Sequence, residues 1–337
     1  MNSVLSSVWP GVWASLRAVA LADVADLIVF DVDGVLVDVR DSYPWVITHA
    51  AQEFLHEVGL TGEEWAVLPE ETTWFKQAGG FNSDWDLAAA VVLVYLVKAL
   101  REGTHAIGEL RRRPPSLREI TQQLARSGGG LVMLERLLMD PLRADEAEQV
   151  LGRWNRRRID QLCMEFYAGS DSPAVFGVIP NTYQGPGLMM REKALVTADD
   201  LPPGFAYGLY TGRAQGETDQ ALKLLGLRDV FVPELQITAD SGIRKPDPEG
   251  LRVLARRVRP RLLIYAGDNL DDWEVASRYL TDREPDLPPC LFAGILGGAP
   301  GPLAWNLFQD RGAELLAESA RALLAWLRAR RERRRPG

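Results

Sequence analysis

The sequence predicts an α/β fold, a doubly wound parallel sheet of the Rossmann type with a large helical domain inserted after the first strand. Short apolar runs, which suit strands buried on both faces, alternate with helix-like segments in the second half of the chain. The first apolar run, residues 27–30, is instead followed by a stretch without a convincing strand. We therefore assign residues 1–38 and 188–337 to the sheet domain and residues 39–187 to the helical insertion.

Composition narrows the class of protein. The chain of 337 residues is longer than a domain with a single core, so we expect two domains or one domain with a large insertion. Its content of 47% hydrophobic and 25% charged residues is typical of a globular protein. The net charge of -8 argues against a nucleic-acid binder, because that affinity comes from cations that neutralise phosphates. No run approaches the ~18 apolar residues of a membrane span. Cys163 and Cys290 form no CxxC motif, so we expect a reducing, cytoplasmic location. We also expect a monomer or homodimer.

Helical patterns dominate the first half of the chain. Residues 4–22 are expected to form a helical segment that packs on the core. Residues 103–115, where three arginines precede two prolines, are expected to form an exposed loop. Apolar residues at helical spacing predict further helices at 42–59, 61–74, 87–100, 116–126, 130–139 and 144–167.

Strand patterns return in the second half. They are predicted at 206–210, irregularly within 230–238, and at 262–266 and 290–295. The helices between and after them are predicted at 215–225, 249–258, 273–279 and 313–331. The arginine-rich run from Arg328 to Arg335 is interpreted as a solvated helix end rather than a site for an anionic partner.

Two carboxylates follow the first strand. Asp31 and Asp33 lie where the strand at 27–30 should end, and open α/β sheets bind ligands outside the carboxyl ends of their strands. Gly34 permits a tight turn after them. Two close acids are costly to bury unless a cation compensates, which favours a hard divalent ion such as Mg²⁺. Taken alone, the pair could equally cap a turn.

Three further pieces fall at strand ends or in a loop that can reach them. They are Thr211-Gly212, Lys245, and Asp268 with Asp271 or Asp272. This set of groups suits phosphoryl transfer. The acids can hold a metal, the hydroxyl and the amide can bind phosphate oxygens, and the lysine can balance the charge. Taken alone, the threonine would be a helix cap and the lysine a surface residue.

These pieces, in this order and spacing, resemble the four motifs of the haloacid dehalogenase-like (HAD) hydrolases. Asp31-Val32-Asp33-Gly34-Val35 is similar to the first motif, Thr211 to the second, Lys245-Pro246 to the third and Gly267–Asp272 to the fourth. The resemblance covers residues 24–38 and 195–300. The helical insertion resembles the C1 caps of subfamily I phosphatases, although it is long for one.

The resemblance implies chemical roles for the residues of the first three motifs. Asp31 would be the nucleophile that forms an aspartyl-phosphate. Asp33 would protonate the leaving oxygen and then activate water. Thr211 and the Gly212 amide would bind the phosphate, and Lys245 would pair with both the nucleophile and the phosphate.

The resemblance also implies the cofactor. Mg²⁺ would be held by Asp31, by the main-chain carbonyl of Asp33 and by Asp268. Asp271 and Asp272 compete for the remaining acidic position, and Asp272 fits the family spacing better.

The implied function is Mg²⁺-dependent hydrolysis of a small phosphorylated metabolite. The dehalogenases of the superfamily lack an acid two residues after the nucleophile, so Asp33 disfavours dehalogenase chemistry. Lys76 is the main candidate for the Schiff-base lysine of a phosphonatase, and nothing in the sequence marks it as desolvated. A phosphomutase on the same core, or a catalytically quiet binding or regulatory protein, remains the alternative.

Substrate contacts are expected from the insertion, which would close over the site and exclude water. The candidates are Lys76, Asn82, Asp84, Trp85 and, beside the phosphate loop, Arg213. The segment around residues 82–86 could instead cap a helix, and Arg213 could merely form an ion pair.

Overall fold

The chain folds into two compact units. In the computed structural model, which describes residues 4–81, 83–298 and 304–334, one unit is Met1–Asp38 with Lys193–Gly337 and the other is Val39–Glu192. The second unit corresponds to the insertion predicted at 39–187 and extends a few residues further.

The strands of the first unit form one large sheet and one small hairpin. The large sheet has the order β1-β2-β10-β9-β8-β3-β6-β7, and β4 pairs with β5. The strands are β1 (Ser6–Trp9), β2 (Val12–Ala14), β3 (Leu27–Phe30), β4 (Val37–Asp38), β5 (Lys193–Ala194), β6 (Ala206–Tyr210), β7 (Gln236–Ile237), β8 (Leu263–Gly267), β9 (Cys290–Ile295) and β10 (Leu315–Ala317).

Helices fill the rest of both units. They are α1 (Leu16–Ala22), α2 (Tyr43–Glu57), α3 (Thr72–Ala78), α4 (Asp84–Glu102), α5 (Ile107–Arg112), α6 (Leu117–Arg126), α7 (Gly130–Met139), α8 (Ala144–Arg153), α9 (Arg156–Ala168), α10 (Ser172–Phe176), α11 (Gln215–Leu225), α12 (Glu249–Val258), α13 (Leu270–Thr281), α14 (Ala304–Asp310) and α15 (Ala320–Arg334). Within the described ranges, none of them combines the length and the apolar character that crossing a membrane requires.

The large sheet is mostly parallel, which confirms the predicted α/β class. From β10 to β7 every neighbouring pair is parallel, whereas β1 and β2 are antiparallel additions at one edge. β3 lies inside the sheet between β8 and β6, and all four of its residues are buried. Its apolar run, Leu-Ile-Val-Phe, can be buried on both faces because it carries no polar side chain.

The sequence missed three short strands of the large sheet. β1 and β2 precede α1 within residues 4–22, where only a helical segment was predicted. β10 begins the segment predicted as a helix at 313–331, and the helix itself starts at Ala320. All three strands are only three or four residues long, which is too short for local periodicity to give a clear signal, and β2 and β10 pair with each other across almost the whole length of the chain.

The second unit is helical throughout the part that the structure describes. Its core is built around α2, α4 and α9, and residues Leu87–Ala99 of α4 are all buried. Ser83 caps α4, because its side chain accepts a hydrogen bond from the Asp86 amide at 3.3 Å. A helix that is buried on all sides can be apolar around its whole circumference, which explains its strong signal in the sequence.

Three predictions for this unit are wrong. The helix predicted at 61–74 instead lies at Thr72–Ala78, as α3. The loop predicted at 103–115 contains α5, whose first turn holds Glu109 in an ion pair with Arg113 at 2.8 Å. The single helix predicted at 144–167 is broken between α8 and α9 at Trp154 and Asn155. Asn155 starts the second helix as its N-cap, since its side chain accepts a hydrogen bond from the Arg158 amide at 3.2 Å.

The arginine-rich end of α15 is predicted to be solvated, but two of its arginines contact other parts of the sheet unit. Arg330 makes a bidentate ion pair with Asp23 at 2.6 and 2.7 Å. Arg331 donates to the Ala25 carbonyl at 2.8 Å, and its guanidinium lies 3.5 Å from the centre of the Phe205 ring. These arginines therefore attach the helix to the sheet unit.

Candidate active site

Three neighbouring strands bring the predicted site residues to one edge of the sheet. Asp31 follows β3, Thr211 follows β6 and Asp268 follows β8. Because β8, β3 and β6 are adjacent and parallel, their carboxyl ends lie side by side. The amide of Asp31 donates to the Ala266 carbonyl at 2.9 Å, which continues the pairing of β3 with β8 as far as the first acid.

Three buried carboxylates meet at this edge. One oxygen each from Asp31, Asp268 and Asp272 lie within 4.8 Å of one another. Of the two adjacent acids that the sequence left open, Asp272 joins this cluster and Asp271 does not. The arrangement brings together residues from both ends of the chain that are more than two hundred positions apart.

Asp272 is held in place by the start of α13. Its Oδ2 accepts hydrogen bonds from the amides of Asp268 at 3.1 Å and Asn269 at 3.3 Å. The Asn269 side chain caps the helix by accepting from the Asp272 amide at 3.1 Å. The hydroxyl of Tyr265, on β8, donates to Asp272 Oδ1 at 2.6 Å.

Tyr265 is a site residue that sequence reasoning missed. It was interpreted only as part of an apolar strand. The available signal was its hydroxyl, because a buried phenol on a strand covered on both faces needs a hydrogen-bond partner. That partner, Asp272, could not be named without the fold.

Two glycines make room for Asp268. A Cβ atom added to Gly34, whose φ is +72°, would lie 2.2 Å from Asp268 Oδ2, and one added to Gly298 would lie 1.9 Å from the same oxygen. Both distances are much shorter than the van der Waals contact that non-bonded atoms keep in a packed interior. Glycine at both positions is therefore required for this carboxylate to reach the cluster.

Lys245 is the cation that neutralises part of the cluster. Its Nζ lies 2.8 Å from Asp31 Oδ1 and 2.6 Å from Asp272 Oδ1, and its side chain is buried. The ammonium also lies 5.7 Å from the centre of the Tyr210 ring and 5.9 Å from that of Tyr265. The two rings shield the lysine and favour its charged form.

The electrostatic balance of the cluster is negative. Burial would lower the pKa of Lys245, but Asp272 and Asp31 outweigh burial and the net pKa is raised, so the lysine stays charged. Burial raises the pKa of Asp31 well above its ordinary value, and Asp272 and Asp268 add to the rise while Lys245 opposes it. The net effect of burial and of the neighbouring carboxylates on Asp31 is therefore larger than the opposing effect of the one lysine that contacts it.

The donor set fits a hard divalent cation. The three clustered groups are all carboxylates, and Gly34 and Gly298 leave the space that one of them, Asp268, occupies. Oxygen ligands of this kind are those that Mg²⁺ takes in proteins. A bound cation would also remove the repulsion that raises the pKa of Asp31.

Asp33 lies beside the cluster and pairs with Arg213. Two guanidinium nitrogens of Arg213, Nη2 and Nε, lie 2.6 and 2.7 Å from Asp33 Oδ1. The Arg213 side chain is 1% exposed and that of Asp33 is 32% exposed. The contact that the structure gives Arg213 is thus an ion pair, and its predicted contact with substrate stays a prediction.

Thr211 and Gly212 lie at the end of β6. Thr211 is buried, and its Oγ1 accepts a hydrogen bond from the Arg213 amide at 3.2 Å. Gly212, between them, is exposed. The Thr211 amide donates to the Ile237 carbonyl at 3.0 Å, which ties this turn to β7.

The substrate candidates of the inserted unit make structural contacts of their own. Lys76 and Asp84 form an ion pair at 2.8 Å. Trp85 packs near Tyr43 and Tyr167, with ring centres 6.0 and 6.3 Å away. Asn82 lies outside the described residues. Contact of these residues with a substrate stays a prediction.

Comparison with known proteins places the fold. No protein-family model matches the chain, and none of the curated proteins matches it. Among solved structures, phosphatase Tt82 from Thermococcus thioreducens is 24% identical over 84% of this chain and 99% of its own, with a TM-score of 0.54. A structural-genomics target is 20% identical over 90% of this chain and 98% of its own, with a TM-score of 0.60.

The chain shares its fold with these two solved structures. The likenesses extend over nearly the whole of both of them. All four motif segments lie in the sheet unit, at the edge formed by β8, β3 and β6. At these identities the comparisons establish the fold, and the chemistry has to be inferred from the site.

Proposed function

We propose that the protein hydrolyses small phosphomonoesters in a Mg²⁺-dependent reaction that passes through an aspartyl-phosphate on Asp31. The observation that carries the proposal is the cluster of three buried carboxylates, two of which contact the buried Lys245. A buried site with this excess of negative charge is unfavourable by itself and becomes favourable when it holds a cation. The resemblance of its motifs to those of the HAD hydrolases, and the fold that it shares with phosphatase Tt82, support the same reaction class.

Four groups would hold the metal. They are the side chains of Asp31, Asp268 and Asp272 and the main-chain carbonyl of Asp33. When bound, Mg²⁺ would act as a Lewis acid on the phosphoryl group and offset its repulsion from the carboxylates.

Asp31 is arranged as a fixed nucleophile. Its Oδ1 accepts a hydrogen bond from the Val32 amide at 2.8 Å and lies 2.8 Å from Lys245 Nζ. Since both contacts use Oδ1, we assign the attack to Oδ2. A carboxylate that is held by one oxygen can approach phosphorus with little reorganisation.

The first half-reaction forms a phosphoenzyme. Asp31 Oδ2 attacks phosphorus, and a new oxygen–phosphorus bond forms as the bond to the leaving oxygen breaks. Asp33 donates its proton to the leaving oxygen, so that an alcohol departs. Thr211 and the Gly212 amide would donate hydrogen bonds to the phosphoryl oxygens, and Lys245 would balance their charge.

The second half-reaction restores the enzyme. Asp33, now ionised, takes a proton from a water molecule as the water attacks phosphorus. The bond between phosphorus and Asp31 Oδ2 breaks, inorganic phosphate leaves, and the Asp31 carboxylate is free again. Water is the acceptor in a hydrolase, whereas a mutase would return the phosphoryl group to a substrate hydroxyl.

Hydrolysis of p-nitrophenyl phosphate tests the proposal. We expect turnover by the wild-type protein with Mg²⁺, and a loss of about 10⁵–10⁶-fold in kcat for Asp31→Asn, as for other nucleophile deletions. Chelation of the metal should abolish turnover, and restored Mg²⁺ should recover it. Wild-type turnover no higher than that of Asp31→Asn would contradict the proposal, and isomerised product without free phosphate from a sugar phosphate would identify a mutase.

A further inference from the structure

The contact between Arg213 and Asp33 has no role in the reaction described so far. Arg213 directs Nη2 and Nε at the same oxygen, Oδ1 of Asp33, at 2.6 and 2.7 Å. Its guanidinium is almost fully buried, while the Asp33 carboxyl is partly exposed. A buried guanidinium would lose a short charge-assisted contact by moving away from Asp33, which favours a fixed position for the pair.

Arg213 is itself fixed at several points. Its Nη1 donates to the Glu217 carbonyl at 3.3 Å, in the first turn of α11. Its main-chain amide donates to Thr211 Oγ1 at 3.2 Å, and its carbonyl accepts from the Ala239 amide at 2.9 Å. The arginine thus links the turn after β6 to the turn after β3, and the Asp33 side chain is held by a rigid partner.

The chemistry of the two groups decides what the contact can do. A guanidinium keeps its proton in proteins, so Arg213 cannot be the general acid. Both of its contacts with Asp33 use Oδ1, so the carboxyl is clamped by one oxygen and the other, Oδ2, can be the atom that exchanges a proton. Proton transfer requires this oxygen within hydrogen-bond reach of the leaving group.

We propose that Arg213 is a positioning residue that orients Asp33 for proton transfer to the leaving oxygen, and that it is not a substrate contact. The inference rests on the proposed phosphomonoesterase activity. It predicts that losing Arg213 damages one component of the reaction, namely help to the leaving group, and spares the binding of the phosphate.

The test compares two substrates that differ mainly in the leaving group. p-Nitrophenolate departs readily without a proton, whereas the phenolate of phenyl phosphate depends on the acid. For Arg213→Met we expect kcat for phenyl phosphate to fall by about 10²-fold or more, the lower end of general-acid effects. The fall for p-nitrophenyl phosphate should be much smaller, and KM should change little for either ester.

Three variants complete the test. Asp33→Asn should show the same dependence on the leaving group, and the double variant should lose little beyond Asp33→Asn alone, because both changes remove one function. Arg213→Lys retains a cation and should recover part of the phenyl phosphate activity. It also keeps the test valid if Arg213→Met does not fold, which thermal unfolding would reveal.

Several results would overturn the inference. Equal losses on both esters, or a raised KM with unchanged kcat, would make Arg213 a structural or a substrate-binding residue. A higher kcat in Arg213→Met would mean that the ion pair holds Asp33 away from the reaction. Failure of the proposed function would look different, because the wild-type protein would then hydrolyse neither ester.

Discussion

Both units bury carboxylates, but they neutralise them differently. In the inserted unit, Glu165 is fully buried and its oxygens accept hydrogen bonds from the amides of Thr182 at 2.7 Å and Tyr183 at 2.9 Å and from the Gln161 side chain at 2.8 Å. In the sheet unit, Asp31, Asp268 and Asp272 lie together, and Lys245 contacts two of them, Asp31 and Asp272. The first arrangement is complete as it stands, whereas we propose that the second is completed by a cation.

The pKa shifts of the two sites follow the same contrast. Burial alone would raise the pKa of Glu165, but the hydrogen bonds from Tyr183 and Thr182 outweigh it and the net pKa is lowered. Burial raises the pKa of Asp31, and neighbouring carboxylates raise it further. A buried acid that is matched by donors stabilises the fold, whereas an acid among like charges is typical of a functional site.

The largest effect expected from this contrast is on activity. Asp268→Asn removes one carboxylate of the cluster, and we expect kcat for p-nitrophenyl phosphate to fall by about 10²–10³-fold, as when one electrostatic contribution to catalysis is removed. Glu165→Gln is the matched control and should stay close to the wild-type rate. Comparable rates in the two variants would remove the distinction between the two kinds of buried acid.

A smaller effect is expected on the stability of the metal-free protein. The pH dependence that Glu165 contributes to it should have the opposite sign to that of Asp31. The folded-state pKa of Glu165 is lowered, so its ionisation stabilises the fold above the ordinary value of about 4.3 and this stability is lost as the pH falls. The folded-state pKa of Asp31 is raised, so stability is lost as the pH rises from about 3.9 through the raised value.

Chemical denaturation at several pH values measures both signs. At neutral pH, Glu165→Gln should lower the free energy of unfolding by about 1–3 kcal/mol, because main-chain donors lose a charged acceptor. Asp31→Asn should raise it in the metal-free protein, and both differences should shrink in acid. Destabilisation by Asp31→Asn at neutral pH would show that Lys245 already balances the cluster.

The sequence predicted the site better than it predicted the edges of the fold. Asp31 and Asp268 could be found because each directly follows an apolar run that forms a central strand, β3 or β8. The helices α7, α11 and α12 begin and end where their apolar spacing and glycines predict. β10 could not be found, because three apolar residues, Leu315–Ala317, have the same pattern in a strand and in a helix.

Partners were the information that the sequence lacked. Asp271 and Asp272 are neighbours at the start of one helix, so only the fold shows which of them faces the cluster. Arg213 and Asp33 are 180 residues apart, and their ion pair follows from the adjacency of β3 and β6. Residue types and strand ends are local features, whereas the pairing of charges is a property of the folded chain.

Calorimetric titration of Mg²⁺ into the metal-free protein tests the central claim most directly. In two buffers of different ionisation enthalpy at mildly acidic pH, we predict a single Mg²⁺ site whose binding releases protons, since the cation lowers the raised pKa of Asp31. Glu165→Gln should bind in the same way, and Asp268→Asn should bind much more weakly. Absence of binding, binding without proton release, or unchanged binding in Asp268→Asn would contradict the account.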